Sequence, residues 1–255
     1  MIPNEQSGNA GCERTRVFVI SLESAKTRRA RFIRHAADCE EAKVDWSFFD
    51  AHEGLTPTMK YDEQDQLICL GRRLHPRELG CYASHYSLWE RIAGMEVPHV
   101  LVLEDDVVID WHFVRLLLDA DLAGRNIHYL KLYNMRPVRF RILQENFLSR
   151  RSLIRFSGFA YGAQAYVLTP EGARRFVEAF RNVRSPIDDE MDRDWQHGMP
   201  NLALFPAPVF EVVGSSTIGD QRYDEKVSLP GEIVMKRFLF RVREKLMRGV
   251  STFRL

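Results

Sequence analysis

The 255-residue sequence is short of several things, and each shortage removes a class of protein. Its four cysteines, Cys12, Cys39, Cys69 and Cys81, are scattered with no CxxC spacing, so neither a disulfide framework nor a zinc finger is expected. The eight histidines form no HExxH or other ligand pattern, which argues against a zinc site. No stretch approaches the 18 or so consecutive apolar residues that span a bilayer. Charge of one sign is lacking too. With 36 Lys and Arg against 35 Asp and Glu, the net charge of +1 does not suggest a nucleic-acid partner. GxGxxG and GxxxxGK[ST] are both missing, which excludes a dinucleotide fingerprint and a P-loop. The opening residues, MIPNEQSGNAGCER, are polar and do not read as a secretory leader, so a reduced, cytoplasmic protein is expected.

What is present alternates between strand and helix. RVFVISL (16–22), VDWSFFDA (44–51), HVLVLE (99–104), NIHYLKLYN (126–134) and GAQAYVLTP (162–170) read as strands, and NLALFPAPVFEVV (201–213) as strand broken by proline. Helical patterns follow residue 22, run from Pro76 to a stop at Gly94, follow Asp110 as N-cap, and start at Pro170 as N-cap or first residue. Residues 52–75 read as loops, and 135–155 as irregular and basic. The alternation predicts an α/β domain with a mostly parallel central sheet, whose ligands would sit at the carboxyl ends of its strands. Residues 1–15 are expected to form a polar tail, 16–230 the α/β domain, and 231–255 a basic amphipathic helix.

HVLVLEDDVVID places Glu104, Asp105 and Asp106 directly after four aliphatic residues. Like charges about 4 Å apart at an effective dielectric near 20 cost roughly 4 kcal/mol a pair. The bland reading is a helix cap or a solvated turn, but Asp110 already supplies the cap. Glu104 and Asp106, two apart, would share a side in extended backbone and suit Mn²⁺ or Mg²⁺. At the first strand–helix junction, Lys26, Arg28 and Arg29 sit where a helix N-terminus disfavours cations. They are either an exposed basic turn or a phosphate site. An acid cluster and a basic turn on one sheet edge suggest a nucleoside diphosphate.

SPIDDEMDRDW holds five acids between Asp188 and Asp194. It fits a capping box at Ser185, or supplies a general base. Ser84 and His85 are adjacent on a helix and do not face each other, so they read as substrate-binding or structural. In residues 231–255, seven Lys or Arg stand against two Glu, and Met235, Phe238, Leu239, Val242 and Leu246 keep helical spacing. That helix either lies on an anionic membrane or packs on its own domain with a solvated basic face.

Taken together, VFVISLESAKTRRARF, FDAHEG, LHPRELGCYASHYSLWERI, VLVLEDDVVI, GAQAYVLTPEGARRFVEAF, PIDDEMDRDW and VFEVVGSSTIGDQR resemble glycosyltransferase family 25 in motif and order. The resemblance covers about Val17 to Arg222. It implies a GT-A type, Rossmann-like fold and an inverting, metal-dependent transfer of a hexose, commonly galactose from UDP-galactose. The implied acceptor is a lipopolysaccharide or lipooligosaccharide saccharide. The implied location is bacterial and cytoplasmic; residues 231–255 lie outside the match, and peripheral contact with the inner face of the membrane through them is expected from the helix pattern alone. It implies Asp106 as metal ligand with Glu104, and Asp105 in the same nucleotide-sugar motif. Ile20, Ser21 and Leu22 would line the nucleotide pocket, Arg28 would match the basic turn, and Asp188, with Asp189 in reserve, would be the base. Ser21 stands where the family more often has Asn. A degenerate scaffold and a metal-dependent nucleotide-sugar hydrolase are the competing readings.

Overall fold

The computed structural model describes residues 16–212 and 228–253; the polar tail and most of the motif VFEVVGSSTIGDQR (209–222) lie outside them. Strand β1 (Val17–Ser21) leads into helix α1 (Lys26–His35), followed by β2 (Ser47–Asp50). Residues 52–75 contain more order than their composition suggested. Strand β3 (Lys60–Tyr61) precedes helix α2 (Glu63–Cys69), which Asp62 caps by accepting from the amides of Gln64 and Asp65. Helix α3 (Pro76–Ala93) begins with Pro76 in its first turn and a reciprocal cap between His75 and Glu78, and stops at Gly94 as read.

Strand β4 (Val100–Glu104) ends at the first acid, and Asp105 and Asp106 form the turn into β5 (Val107–Ile109). The three carboxylates therefore do not lie on one extended strand. Asp110 caps α4 (Trp111–Asp119) through the amides of His112 and Phe113, as expected. After β6 (Tyr129–Lys131), the supposedly irregular stretch is a hairpin of β7 (Phe140–Leu148) and β8 (Arg151–Phe156). Its tip, Ser149–Arg150, takes positive φ at both residues without the Gly or Asn that usually signals such a turn. Strand β9 (Ala165–Leu168) leads to α5 (Pro170–Ala179), where Thr169 is the N-cap and Pro170 the first helical residue. Then come β10 (Asn182–Val183), the short helices α6 (Ile187–Met191) and α7 (Asp194–His197), β11 (Leu202–Phe205), β12 (Val209–Glu211) and the long α8 (Gly231–Phe253). The capping box read at Ser185 does not form. Pro186 is the N-cap, and the Ser185 hydroxyl donates to Glu190 instead.

One eight-stranded sheet has the order β2-β1-β4-β9-β6-β11-β8-β7. It is mixed rather than mostly parallel. β2, β1 and β4 run parallel, as do β6 and β11, but β9 enters antiparallel between β4 and β6, and β8 and β7 continue antiparallel. Both faces of the central strands are covered, which is why VFVI and VLVL are unbroken apolar runs. Val17, Val19, Leu101 and Leu103 face α1 and α4, while Phe18, Ile20, Val100 and Val102 face α3 and α5. The parallel register of Ile20 with Glu104 brings the carboxyl ends of β1 and β4 side by side. That edge carries the site.

Candidate active site

A cavity of about 480 Å³ opens at this edge. Its walls come from the end of β1 (Ile20, Ser21, Leu22), α1 (Arg28), α3 (Arg77, Cys81, Ser84, His85), the acid turn (Glu104, Asp105, Asp106), the start of α6 (Asp188) and Glu211 of β12. Elements far apart in sequence thus deliver the predicted residues to one place. Asp189 is not among the cavity-lining residues.

The three acids have different partners. The Ser21 hydroxyl donates to Asp105 Oδ2 at 2.6 Å, and the Arg28 guanidinium grips Asp105 Oδ1 and reaches Asp106 Oδ2 at 3.2 Å. Of the basic turn, Lys26 is exposed as the solvated reading expected, while Arg28 neutralises the buried Asp105. Arg29 clamps the same corner, donating to the Ser21 carbonyl at 2.8 Å and pairing with Asp50. Glu104 faces His85, whose Nε2 lies 3.3 Å from Oε1.

Asp106 is left over. Its carboxylate is buried, and Oδ1 has no hydrogen-bond partner among the described residues. Burial first, and the neighbouring Glu104 charge second, push its pKa up to about 7 against the pull of Arg28. A buried acceptor without a donor is costly. A divalent cation bound by hard oxygens would satisfy it, and Glu104 and Asp106 have the chemistry to hold one.

Behind Glu104 runs a buried relay. Trp89 Nε1, which can only donate, meets the Tyr166 hydroxyl at 2.7 Å, and that hydroxyl lies 2.9 Å from His85 Nδ1. With its oxygen accepting from Trp89, Tyr166 places its proton best on Nδ1. The ring proton then sits on Nε2 and points at Glu104. The relay gives His85 a positioning role that its place beside Ser84 did not reveal. Ser84 itself is structural: its hydroxyl donates to the Gly80 carbonyl at 2.7 Å and accepts from the His52 amide at 2.9 Å. A Cβ on Gly80 would sit 2.6 Å from the His52 carbonyl, so this pair lets the 52–53 segment close over α3.

Cys81 and His85, one turn apart on α3, bring their ligand atoms within 4.8 Å of one another and of a Glu104 oxygen. Sulfur, imidazole and carboxylate would suit a softer ion than Mg²⁺, but His85 spends Nδ1 on Tyr166 and Nε2 on Glu104, so in this arrangement the cluster is a hydrogen-bonded one.

Asp188 Oδ2 accepts from the Gly162 amide at 3.2 Å, and Oδ1 from the Asp189 amide at 3.1 Å. The 161–162 turn, left-handed at both residues, is fixed from behind by a buried ion pair. Lys131 Nζ donates to Asp192 Oδ1 at 2.5 Å and to the Tyr161 carbonyl, and Asp192 Oδ2 accepts from the Tyr161 amide. Asp192 was one of the five acids of SPIDDEMDRDW but was not singled out, and Lys131 went unnoticed, as did Glu211, which accepts from the Tyr133 hydroxyl at 2.7 Å. Asp189 is pushed up to about 8, by burial first and the Asp188 charge second.

The cavity walls hold seven carboxylates (Glu53, Glu78, Glu104, Asp105, Asp106, Asp188 and Glu211) against two arginines, Arg28 and Arg77. An anionic ligand entering it needs added countercharge.

Residues 14–191 match the family model described as glycosyltransferase family 25 (LPS biosynthesis protein). The chain is similar to a glycosyltransferase 25 family member of Anopheles gambiae, with 27% identity over 68% of this chain and 30% of that protein. It is 30% identical to the inactive glycosyltransferase 25 family member 3 of Homo sapiens, and 26% identical to procollagen galactosyltransferase 1-A of Xenopus laevis, with the same coverages. The matched stretch spans about 30% of the length of these relatives. The opening strand, the basic turn, the α3 motif, the acid turn and Asp188 all fall within the matched residues, and the chain belongs to glycosyltransferase family 25.

Proposed function

We propose that the protein is an inverting hexosyltransferase of GT-A type that uses a divalent cation, Mn²⁺ or Mg²⁺, and moves galactose from UDP-galactose to a saccharide hydroxyl. The observation that carries this reading is the buried, unpartnered Asp106 Oδ1 beside Glu104, in a cavity that also holds Arg28 and Asp188. What a cation at Glu104 and Asp106 supplies is countercharge for the departing diphosphate.

The chain's own residues do the rest. Ile20, Ser21 and Leu22 border the nucleotide. Arg28 holds the acid turn in place and adds positive charge where the diphosphate accumulates negative charge. The Trp89–Tyr166–His85 relay fixes Glu104. Asp188, oriented by two backbone amides, takes the proton from the acceptor hydroxyl as that oxygen attacks. One base on the face opposite the leaving group suffices for inversion. The family's printed description points to a lipopolysaccharide saccharide as acceptor, whereas the Xenopus relative's name points to procollagen. We favour the lipopolysaccharide or lipooligosaccharide saccharide, because the family model covers most of this chain.

The test offers UDP-galactose, UDP-glucose and UDP-N-acetylglucosamine with Mn²⁺, with and without saccharide acceptors, and follows UDP release. Release from one donor that depends on acceptor and is lost in Asp106→Asn is the expected result. Equal release with and without acceptor would indicate a nucleotide-sugar hydrolase. A second reading, a non-catalytic member, is favoured by the human and rat relatives named as inactive. UDP binding without turnover of any donor would support it.

A further inference from the structure

Helix α8 docks on the domain through polar contacts. Arg237 donates to the Cys69 carbonyl at 2.7 Å and the Ile68 carbonyl at 3.3 Å, which lie in the last turn of α2. Glu244 pairs with Arg193 at 2.5 Å, and Arg155 donates to the Ser251 carbonyl at 2.9 Å. Arg248 lies over the Phe159 ring, 4.1 Å from its centroid. Half-buried Phe240 and Met247 share this inward face.

The opposite face is apolar, and none of the described residues covers it. Met235, Phe238, Leu239, Val242 and Leu246 are between 42% and 65% exposed. At 100° per residue they form one stripe, with Arg241 along one edge and Lys236 and Arg243 along the other, and Lys245 beside Phe238. The sequence allowed a packed helix with a solvated basic face. The structure instead turns two basic residues, Arg237 and Arg248, inward and the apolar stripe outward. A monomeric soluble protein rarely shows so contiguous an apolar face without a use for it.

We propose that this stripe is a docking surface for a bilayer rich in anionic phospholipid, with α8 lying in the plane of the headgroups. The argument is charge complementarity. A second copy laid stripe against stripe would bring Lys236, Arg241, Arg243 and Lys245 close to their equivalents. The one acid at that margin, Glu232, is already paired with Lys236. Anionic headgroups accept both the apolar stripe and its cationic edges. The helix does not span: none among the described residues is long and apolar enough to cross a membrane. This inference does not depend on the transferase reading.

The experiment is co-sedimentation of the full chain with vesicles of phosphatidylglycerol and phosphatidylcholine, and of phosphatidylcholine alone. The comparison is the double variant Phe238→Glu, Leu246→Glu, whose positions are 61% and 65% exposed and which should keep the wild-type melting temperature. Binding should be roughly tenfold or more tighter to the anionic vesicles, weaken with salt, and be lost in the double variant. Equal binding by wild type and variant, or no preference for anionic vesicles, would overturn the proposal. So would light scattering showing a dimer that the variant converts to a monomer, because a second copy would then cover the stripe.

Discussion

At the carboxyl edge of the sheet, Asp105 and Asp106 are only 3% and 5% exposed, while on α8 Phe238 and Leu246 are 61% and 65% exposed. Each region reverses the usual placement of its residue type. The acid turn buries charge and compensates most of it internally, through Arg28, Ser21 and His85, leaving one oxygen unanswered. The helix exposes apolar area and anchors itself by charges turned inward. The difference tells what each region is for. A buried, nearly balanced charge cluster is completed by a small ligand with a few strong contacts, whereas an open apolar stripe with cationic edges is completed by a broad, soft surface. Stability measurements should separate them, because removing a group from the first leaves an unpaired buried partner and removing one from the second leaves only water.

The largest effect is expected for Arg28→Gln. It strands Asp105 without its counter-ion and should lower stability by about 3 kcal/mol, read from urea unfolding. An unchanged midpoint would mean that the acid turn does not need internal compensation. Next comes Asp106→Asn, expected to cut donor turnover by about 100-fold while leaving folding intact or improved, since it removes a buried charge that lacks a full set of partners. Tyr166→Phe removes the acceptor for Trp89 and the link to His85. About 1–3 kcal/mol should be lost, with a fall in kcat that His85→Gln reproduces.

A smaller effect distinguishes Asp189. Its folded pKa of about 8 lies above the ordinary aspartate value of 3.8, so between those values the folded state binds more protons than the unfolded. Its contribution is present below about pH 4 and is lost as pH rises through about 8. Asp189→Asn should therefore raise the melting temperature relative to wild type more at pH 8 than at pH 5. On α8, Phe238→Ser should change stability by no more than about 0.5 kcal/mol, and a larger loss would mean that the stripe is packed after all.

Much of the architecture could be read directly from the residues. The apolar runs at 17–20 and 100–103, the Pro76 and Gly94 punctuation of α3 and the Asp110 cap all depend on neighbours a few positions away. The β7–β8 hairpin was illegible because its turn uses Ser149 and Arg150 and its edge strand is largely exposed. Helix α2 was illegible because two turns give no periodicity, although Asp62 was a visible cap. The antiparallel entry of β9 could not be read, since its apolar run looks the same in either direction.

The sequence by itself determined the alternation of elements, the acids at a strand end and the amphipathic period of the last helix, because each follows from local backbone geometry and side-chain spacing. Only the tertiary structure decided which partner each charge received. Pairing Asp105 with Arg28, Glu104 with His85 and Asp192 with Lys131 requires residues 77, 19 and 61 positions apart, each pair on different elements, to meet. The direction in which α8 presents its apolar stripe was likewise a tertiary outcome. A helix's period marks out its faces, but the contacts of Arg237, Glu244 and Ser251 choose which one turns inward.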